Sequence, residues 1–354
     1  MRYQEGDEKQ ILRLRHLVFG DLDPIRISSS AWKWQFLKNP AGKAFCCLAK
    51  EKGIVVGQYA AIPTRFLVQG QETLLAFSCD TMVHPAYRKQ GIFVRLARDL
   101  YRWMESECHI STVWGFPNKV SLPGFTKHLG WNMLTVFPLR VIPIRPFSTL
   151  KSHFQLPNRA KSPPSYNRKN PAFMKMDETG EKPPRLQIEP ITHFGTDFDE
   201  LWNRNKTLAP VMQVRDSIYL NWRYLGLPAF GYRPFAIKWQ GRLIGYMVMR
   251  LMNLRGHYFG AMADLFPFPM GDDTIISYLF RFARDYCKGY GAEFLTCLLS
   301  QANSRFLKKA GFISVPARLN PKRWYFACRY GDENKPIFGS IDQWYITYGD
   351  TDIV

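Results

Sequence analysis

The chain has 354 residues, 46% of them hydrophobic and 15% aromatic, which suits two domains at roughly 150 residues each and excludes a disordered or collagen-like protein. No window approaches the run of about 18 apolar residues that a membrane-spanning helix needs, and the start is polar and acidic rather than basic and then apolar, so a cytoplasmic protein without a membrane span is expected. Lys and Arg outnumber Asp and Glu by 48 to 29, an excess that calls for an anionic partner such as nucleic acid, acidic lipid or a phosphorylated ligand.

Ile11, Leu14, Leu17 and Val18 stand at helical spacing and predict a helix over 9–19; Ser30 is the expected cap of a short helix over 31–38. Strands are predicted over 44–50, 54–68 and 73–83, the first two joined by the two-residue turn Lys52-Gly53. Over 91–108, Ile92, Leu96, Leu100, Trp103 and Met104 form one stripe and Arg95, Arg98 and Arg102 another, the pattern of an amphipathic helix. A buried strand over 110–114, a helix over 121–129 and a strand over 133–141 complete the first half. Between Arg145 and Arg185 there are nine Lys/Arg, three Asp/Glu and seven prolines. This reads as a solvated basic linker over 143–187 between an N-terminal domain, 1–142, and a C-terminal one, 188–354, more readily than as an RNA or membrane contact. The cysteines at 46, 47, 79, 108, 287, 297 and 328 make no C-x-x-C pair and sit mostly in apolar runs, so they are expected as buried small hydrophobes, with no disulfide framework or metal site.

The two halves repeat one another. Trp32-Lys33-Trp34-Gln35-Phe36 has its counterpart in Tyr219-Leu220-Asn221-Trp222-Arg223-Tyr224, and the turn and strand at Gly53 and Gly57 in those at Gly241 and Gly245. Asp80-Thr81-Met82-Val83-His84-Pro85 corresponds to Asp264-Leu265-Phe266-Pro267, Asn118 to Asn303, and Gly130-Trp131 to Gly311-Phe312, at offsets of about 181 to 188 residues. An internal duplication with one α/β unit per half follows, each in the order helix, helix, three strands, helix, strand, helix, strand.

Chemistry concentrates where the third strand meets the long helix, at Met82-Val83-His84-Pro85-Ala86-Tyr87-Arg88-Lys89-Gln90-Gly91-Ile92-Phe93. Pro85 ends the strand and Gly91 admits a close approach to the helix start. The free N–H groups there, the helix dipole and the side chains of Arg88 and Lys89 make a seat for a pyrophosphate. The spacings of a dinucleotide fold or an NTPase loop are absent.

This segment resembles the acyl-coenzyme A motif of the GNAT N-acetyltransferase superfamily, [QR]-x-x-G-x-[GA], here Arg88-x-x-Gly91-x-Phe93, followed by a second signature at Asn118, Ser121 and Gly130-Trp131. The resemblance covers most of 1–142 and, through the repeat, extends over 188–330, so the chain looks like a tandem GNAT protein: two α/β units, each a mixed, mostly antiparallel sheet flanked by helices. It implies that Met82 and Val83, on a splayed strand, bind the pantetheine and acyl carbonyl of acetyl-CoA or another acyl-CoA. Arg88, Lys89, Gln90, Gly91, Ile92 and Phe93 would hold the pyrophosphate, and Asn118 and Ser121 would face the pantetheine arm. A neutral amine of a small-molecule acceptor then attacks the thioester directly, with no metal.

Two positions depart from the family pattern. Phe93 stands where Gly or Ala is usual, so its ring has to turn away from the cofactor. Phe125 takes the place of the Tyr that often protonates the departing thiolate. Asp80 and His84 are the nearest candidates to accept the amine's proton. The second half has Phe266-Pro267-Phe268-Pro269-Met270-Gly271-Asp272-Asp273 in place of the Arg-x-x-Gly loop, and its carboxylates would repel a pyrophosphate. Only the first half is expected to bind coenzyme A. The expected function is an acyl-CoA-dependent N-acyltransferase, most simply an N-acetyltransferase. A Fem-type aminoacyl transferase and a non-catalytic acyl-CoA-binding or scaffold protein are the alternatives, and a nucleic-acid partner is not favoured.

Overall fold

The structure, a computed structural model, describes residues 1–20, 24–145, 185–254, 256–300, 304–316, 318 and 323–352. The basic, proline-rich stretch over 146–184 and Asn303 lie outside the described residues.

Helix α1 (Glu8–Phe19) buries Ile11, Leu14 and the charged Arg15. Helix α2 (Ser29–Leu37) starts two residues before the predicted 31, because Ser28 rather than Ser30 caps it: Ser28 Oγ accepts from the N–H of Ala31 at 3.2 Å. A meander follows, β1 (Phe45–Glu51), β2 (Ile54–Val68) and β3 (Gln71–Val83). Its two turns put Lys52 and Gly53 at φ 49° and 81°, and Gln69 and Gly70 at φ 49° and 86°. Such left-handed pairs match the twist of a tight hairpin. Then come α3 (Ile92–Cys108), β4 (Val113–Gly115), α4 (Leu122–His128) and β5 (Asn132–Phe137). The single strand expected over 133–141 is in fact broken: β5 ends at Phe137, and β6 (Arg140–Pro143) belongs to another sheet.

The second half runs β7 (Leu186–Pro190), α5 (Thr196–Asn205), β8 (Val211–Gln213), α6 (Ser217–Leu220), β9 (Tyr232–Trp239), β10 (Arg242–Leu254) and β11 (His257–Phe266). It continues with α7 (Asp273–Gly289), β12 (Phe294–Cys297), α8 (Ser304–Lys309), β13 (Ile313–Ser314), β14 (Trp324–Arg329) and β15 (Trp344–Tyr345).

Two compact units result, and each draws strands from both halves of the sequence. The first comprises Met1–Phe137, Ala209–Ala229 and Lys322–Tyr345; the second comprises Pro138–Leu208, Phe230–Pro321 and Ile346–Val354. Among the described residues the first sheet runs β15-β8-β2-β3-β4-β14-β5, with β1 also on β2, and the second runs β13-β6-β12-β11-β10-β9-β7. Within each, one inner pair is parallel, β3 with β4 and β11 with β12, and most of the rest are antiparallel. The position beside that parallel pair is filled reciprocally. β14, from the end of the chain, lies between β4 and β5 in the first sheet, and β6, from the first half, lies between β12 and β13 in the second.

The first unit's core packs α3 on the sheet through Ile92, Leu96, Leu100 and Met104 against Tyr59, Ala61 and Ala76, and takes in Ala327 of β14. The duplicated residues Trp34 and Trp222 both lie in this unit, stacked at 4.8 Å, and each indole N–H donates to the other's carbonyl, at 2.9 and 3.2 Å. Six of the seven cysteines are buried, and burial pushes the thiol of Cys297 up to about 12. No helix among the described residues is long and apolar enough to cross a membrane.

Candidate functional site

The predicted site residues lie in the first unit, around the end of β3. Here the ladder is interrupted: Gln58 faces Met82 and Ala60 faces Cys79, so Asp80 and Thr81 together oppose Tyr59. This is a β-bulge, which bends the strand and breaks its regular pairing. Asp80 takes up the distortion at φ 48°, in the left-handed region. On its other edge β3 pairs with β4 only through Ala76, Phe77 and Ser78, the last opposite Gly115. Beyond Ser78 no strand covers that edge among the described residues, so the two strands part in a fork. Gly115 suits its place at the base of the fork, where a Cβ would stand 3.0 Å from the Ser78 carbonyl oxygen.

After Val83 the chain makes one 3-10 turn, Pro85–Tyr87, and enters α3 through Lys89 at φ 63° and Gly91 at φ 72°. Gly91 is the N-cap and offers no side chain to the helix start. The opening N–H groups therefore lack an intrahelical partner and also lack a side-chain cap. A Cβ at Gly91 would meet nothing within 4 Å, so the mouth of the helix is open. Arg88, Lys89 and Gln90 are exposed around it. Ile92 turns inward to the core, Met82 is buried, and Val83 is half-buried with its carbonyl 3.4 Å from Arg88 Nε. Phe93 turns away from this opening, as its bulk requires. Its ring packs 5.1 Å from Phe125, and a Cβ on Gly124 would stand 2.5 Å from it. Phe93 thereby fixes the start of α3 against α4.

The two proton-acceptor candidates are not brought together. Asp80 is buried against α1, its Oδ1 3.2 Å from Arg15 Nη2, with both side chains 4% exposed. Asp80 Oδ2, Arg15 Nη1 and Gln58 Oε1 are buried without a hydrogen-bond partner. Its counterpart Asp264 is also buried, where it accepts from the Tyr246 hydroxyl at 2.9 Å. His84 sits half-buried in the turn, and its Nδ1 accepts from the N–H of Ala86 at 3.2 Å. That bond places the ring proton of the neutral imidazole on Nε2. Asn118 and Ser121 spend their polar atoms on each other's segment. Asn118 Oδ1 accepts from the N–H groups of Val120 and Ser121, both at 2.9 Å, and Ser121 Oγ accepts from the N–H of Asn118 at 3.1 Å. They shape the entry to α4.

Sequence reasoning passed over a row of hydroxyls on the helix-covered face of the sheet. Trp131 Nε1 donates to Tyr101 Oη at 2.8 Å, Tyr101 Oη lies 2.7 Å from Tyr59 Oη, and Tyr59 Oη lies 2.8 Å from Ser78 Oγ at the base of the fork. Burial raises both phenols, Tyr101 to about 12 and Tyr59 well above its ordinary value. A signal existed. Tyr101 follows Leu100 on the apolar stripe of α3, and a phenol on a buried face needs a partner.

The second unit closes the corresponding helix start. α7 has Asp272 as N-cap, whose carboxylate accepts from the N–H of Thr274 at 2.7 Å. That bond holds Asp272 below the usual carboxylate range.

Residues 1–134 match the family model described as an acetyltransferase (GNAT) domain. No curated protein matches the sequence. Among solved structures, the chain is similar to a conserved protein of Enterococcus faecalis V583 described as a probable N-acyltransferase. The TM-score is 0.61 at 11% identity, over 95% of this chain and 73% of the other. It is similar to a GCN5-related N-acetyltransferase from Anabaena variabilis, with TM-score 0.57 and 15% identity over 95% and 74% of the two chains. It is also similar to N-myristoyltransferase from Saccharomyces cerevisiae, crystallised with myristoyl-CoA, with TM-score 0.61 and 14% identity over 92% and 80%. At these identities the structural likenesses establish a shared fold.

Proposed function

We propose, for a chain whose residues 1–134 match the acetyltransferase (GNAT) domain model and which carries the fold of GNAT N-acyltransferases over nearly its whole length, the transfer of an acyl group from an acyl-coenzyme A to an amine. The observation that carries this reading is the uncapped, open start of α3 beside the forked end of β3. The residues fit the group. Free N–H groups, the helix dipole and two cations suit a pyrophosphate. From Val83 back to Ser78 the uncovered edge of β3 runs about 17 Å at ~3.4 Å per residue. An extended pantetheine arm, with its two amides, can lie along that edge as an added strand would and bring the thioester to the fork. When bound, the thioester supplies the electrophilic carbon; the chain's backbone at the bulge supplies donors where the oxyanion develops.

Asp80 enters this reading as a structural partner of Arg15 rather than as the base, and the accepting nitrogen of His84 is already engaged by Ala86. The amine then loses its proton through water. Acyl length is a variable to measure, given a neighbour crystallised with myristoyl-CoA and another described as an N-acetyltransferase. Calorimetry with coenzyme A, acetyl-CoA and myristoyl-CoA tests the whole reading. One molecule is expected to bind per chain, and Arg88→Ala is expected to weaken binding about tenfold through loss of a charge-assisted contact. Absence of binding, or two molecules per chain, would overturn it.

A further inference from the structure

In the second unit a groove of about 550 Å³ lies between the last turn of α5 and the hairpin of β9 and β10. That size is usual for a small-molecule site. The buried part of its lining is apolar, with Leu201 and Leu243 buried and Ile244 and Trp239 half-buried. Its exposed part carries two guanidiniums, Arg204 and Arg242, and no carboxylate lines it. Arg204 is held in place, since its Nη2 donates to the Leu243 carbonyl at 3.0 Å. Among the described residues neither arginine has an acidic partner, and Glu189, on the neighbouring strand β7, is engaged by Lys238 at 2.7 Å. Gln240, in the turn, accepts from Arg185 Nε at 3.2 Å through its side-chain oxygen, which leaves its amide N–H groups for a ligand.

The fold does not require these cations. In the first half the strand residue matching Leu243 is Val55, whose N–H donates to the neutral side chain of Gln10 on α1 at 2.8 Å. A cation in the last turn of α5 suits the helix dipole, which accounts for Arg204. It does not account for Arg242 on the strand, and two like charges over one groove repel until an anion joins them. An inorganic anion would leave Trp239 and Ile244 uncovered, and an apolar molecule would leave the guanidiniums unpaired. A planar ring suits both the indole face and the guanidinium planes. We propose that this groove binds a planar aromatic molecule bearing a phosphate, the chemistry shared by nucleoside monophosphates and simple aryl phosphates. Arg204 and Arg242 hold the phosphate and the ring lies on Trp239. This site goes beyond the acyl-transfer reading and needs no part of it.

The test is calorimetric titration of the full chain with 1-naphthyl phosphate, with coenzyme A in excess to fill the seat at α3. Wild type is expected to bind one molecule, and Arg242→Gln to weaken binding about tenfold through loss of a charge-assisted contact. Inorganic phosphate, which lacks the ring, and 1-naphthol, which lacks the charge, are each expected to bind at least about tenfold more weakly than 1-naphthyl phosphate. AMP separates the two sources: binding as tight as that of 1-naphthyl phosphate supports a nucleotide, and weaker binding supports a smaller aryl phosphate. Arg242 is exposed, so Arg242→Gln is expected to keep the wild-type thermal midpoint, which separates lost binding from lost folding. Equal affinity in wild type and Arg242→Gln, or 1-naphthol bound as tightly as its phosphate, overturns the proposal. So does a wild-type chain that binds no 1-naphthyl phosphate. The comparison rests on Arg242 alone, so its outcome is the same whether or not the first unit takes coenzyme A.

Discussion

Asp80 sits at φ 48° with its carboxylate 3.2 Å from the guanidinium of Arg15. Two charges held this far from water are costly to separate, because removing one leaves the other buried and uncompensated. Asp80→Asn is therefore expected to lower stability by about 3 kcal/mol, read from urea unfolding. The pH profile of acyl transfer should keep its shape, and a profile that loses its acidic limb in Asp80→Asn would restore Asp80 as the base. The sequence could show a carboxylate near the strand end but not its partner. Arg15 lies on an amphipathic helix with other basic residues, and no local spacing marks it as the one turned inward. Tyr101 gives a second prediction at this scale. Burial raises its phenol to about 12 against an ordinary 10. Between those values the unfolded chain has lost the proton that the folded chain keeps, so the unfolded state gains and stability falls as pH rises from 10 to 12. Tyr101→Phe is expected to start about 1–3 kcal/mol less stable, since Trp131 Nε1 and Tyr59 lose a partner, and to show a shallower alkaline fall. Unfolding curves at pH 9 and 11 measure both; equal slopes would mean that Tyr101 does not titrate in this range.

Helices α3 and α7 occupy matching places in the repeat and are equally long, 17 residues each. Their starts differ in one respect that decides what each can bind. α3 begins at Gly91, which brings no side chain, whereas α7 begins at Asp272, whose carboxylate takes the N–H of Thr274. This contrast was legible in the sequence, because glycine and aspartate at a helix start carry their chemistry locally. Phe93 was legible only in part. Its need to turn away from the opening follows from its size, but its seat on Gly124 depends on the packing of a second helix. Asp272→Ala is expected to lower the thermal midpoint and to leave coenzyme A affinity unchanged. The carboxyl of Asp272 is held low in the folded state, so its contribution is present above the ordinary carboxylate range and is lost as pH falls through it. Melting curves of wild type and Asp272→Ala should therefore differ at pH 7 and converge in acid, and a gap that widens in acid would refute the capping role.

At the scale of the whole chain, the duplication and the order of elements could be read from the sequence, but the ownership of strands could not. Trp324-Tyr325-Phe326-Ala327-Cys328-Arg329 has the composition of a buried strand, and its hydrophobicity says that it must be covered without saying by which sheet. The structure sets it between β4 and β5, where Phe326, Ala327 and Cys328 are fully buried. β8 and β15 likewise complete the first sheet from beyond residue 208. A chain ending at residue 142 would therefore leave β4 and β5 without the strand that joins them, and would expose the edge of β2 on which β8 lies. Unpaired edges and an opened core are what a domain cannot sustain. The fragment 1–142 is expected to lack a cooperative thermal transition and to bind no coenzyme A, although it contains Arg88, Lys89 and Gly91 together with the whole of α3. Circular dichroism and calorimetry on the fragment decide this. A sharp melt with retained binding would mean that the first half is autonomous and that the exchange of β6 and β14 adds nothing to the fold of the site.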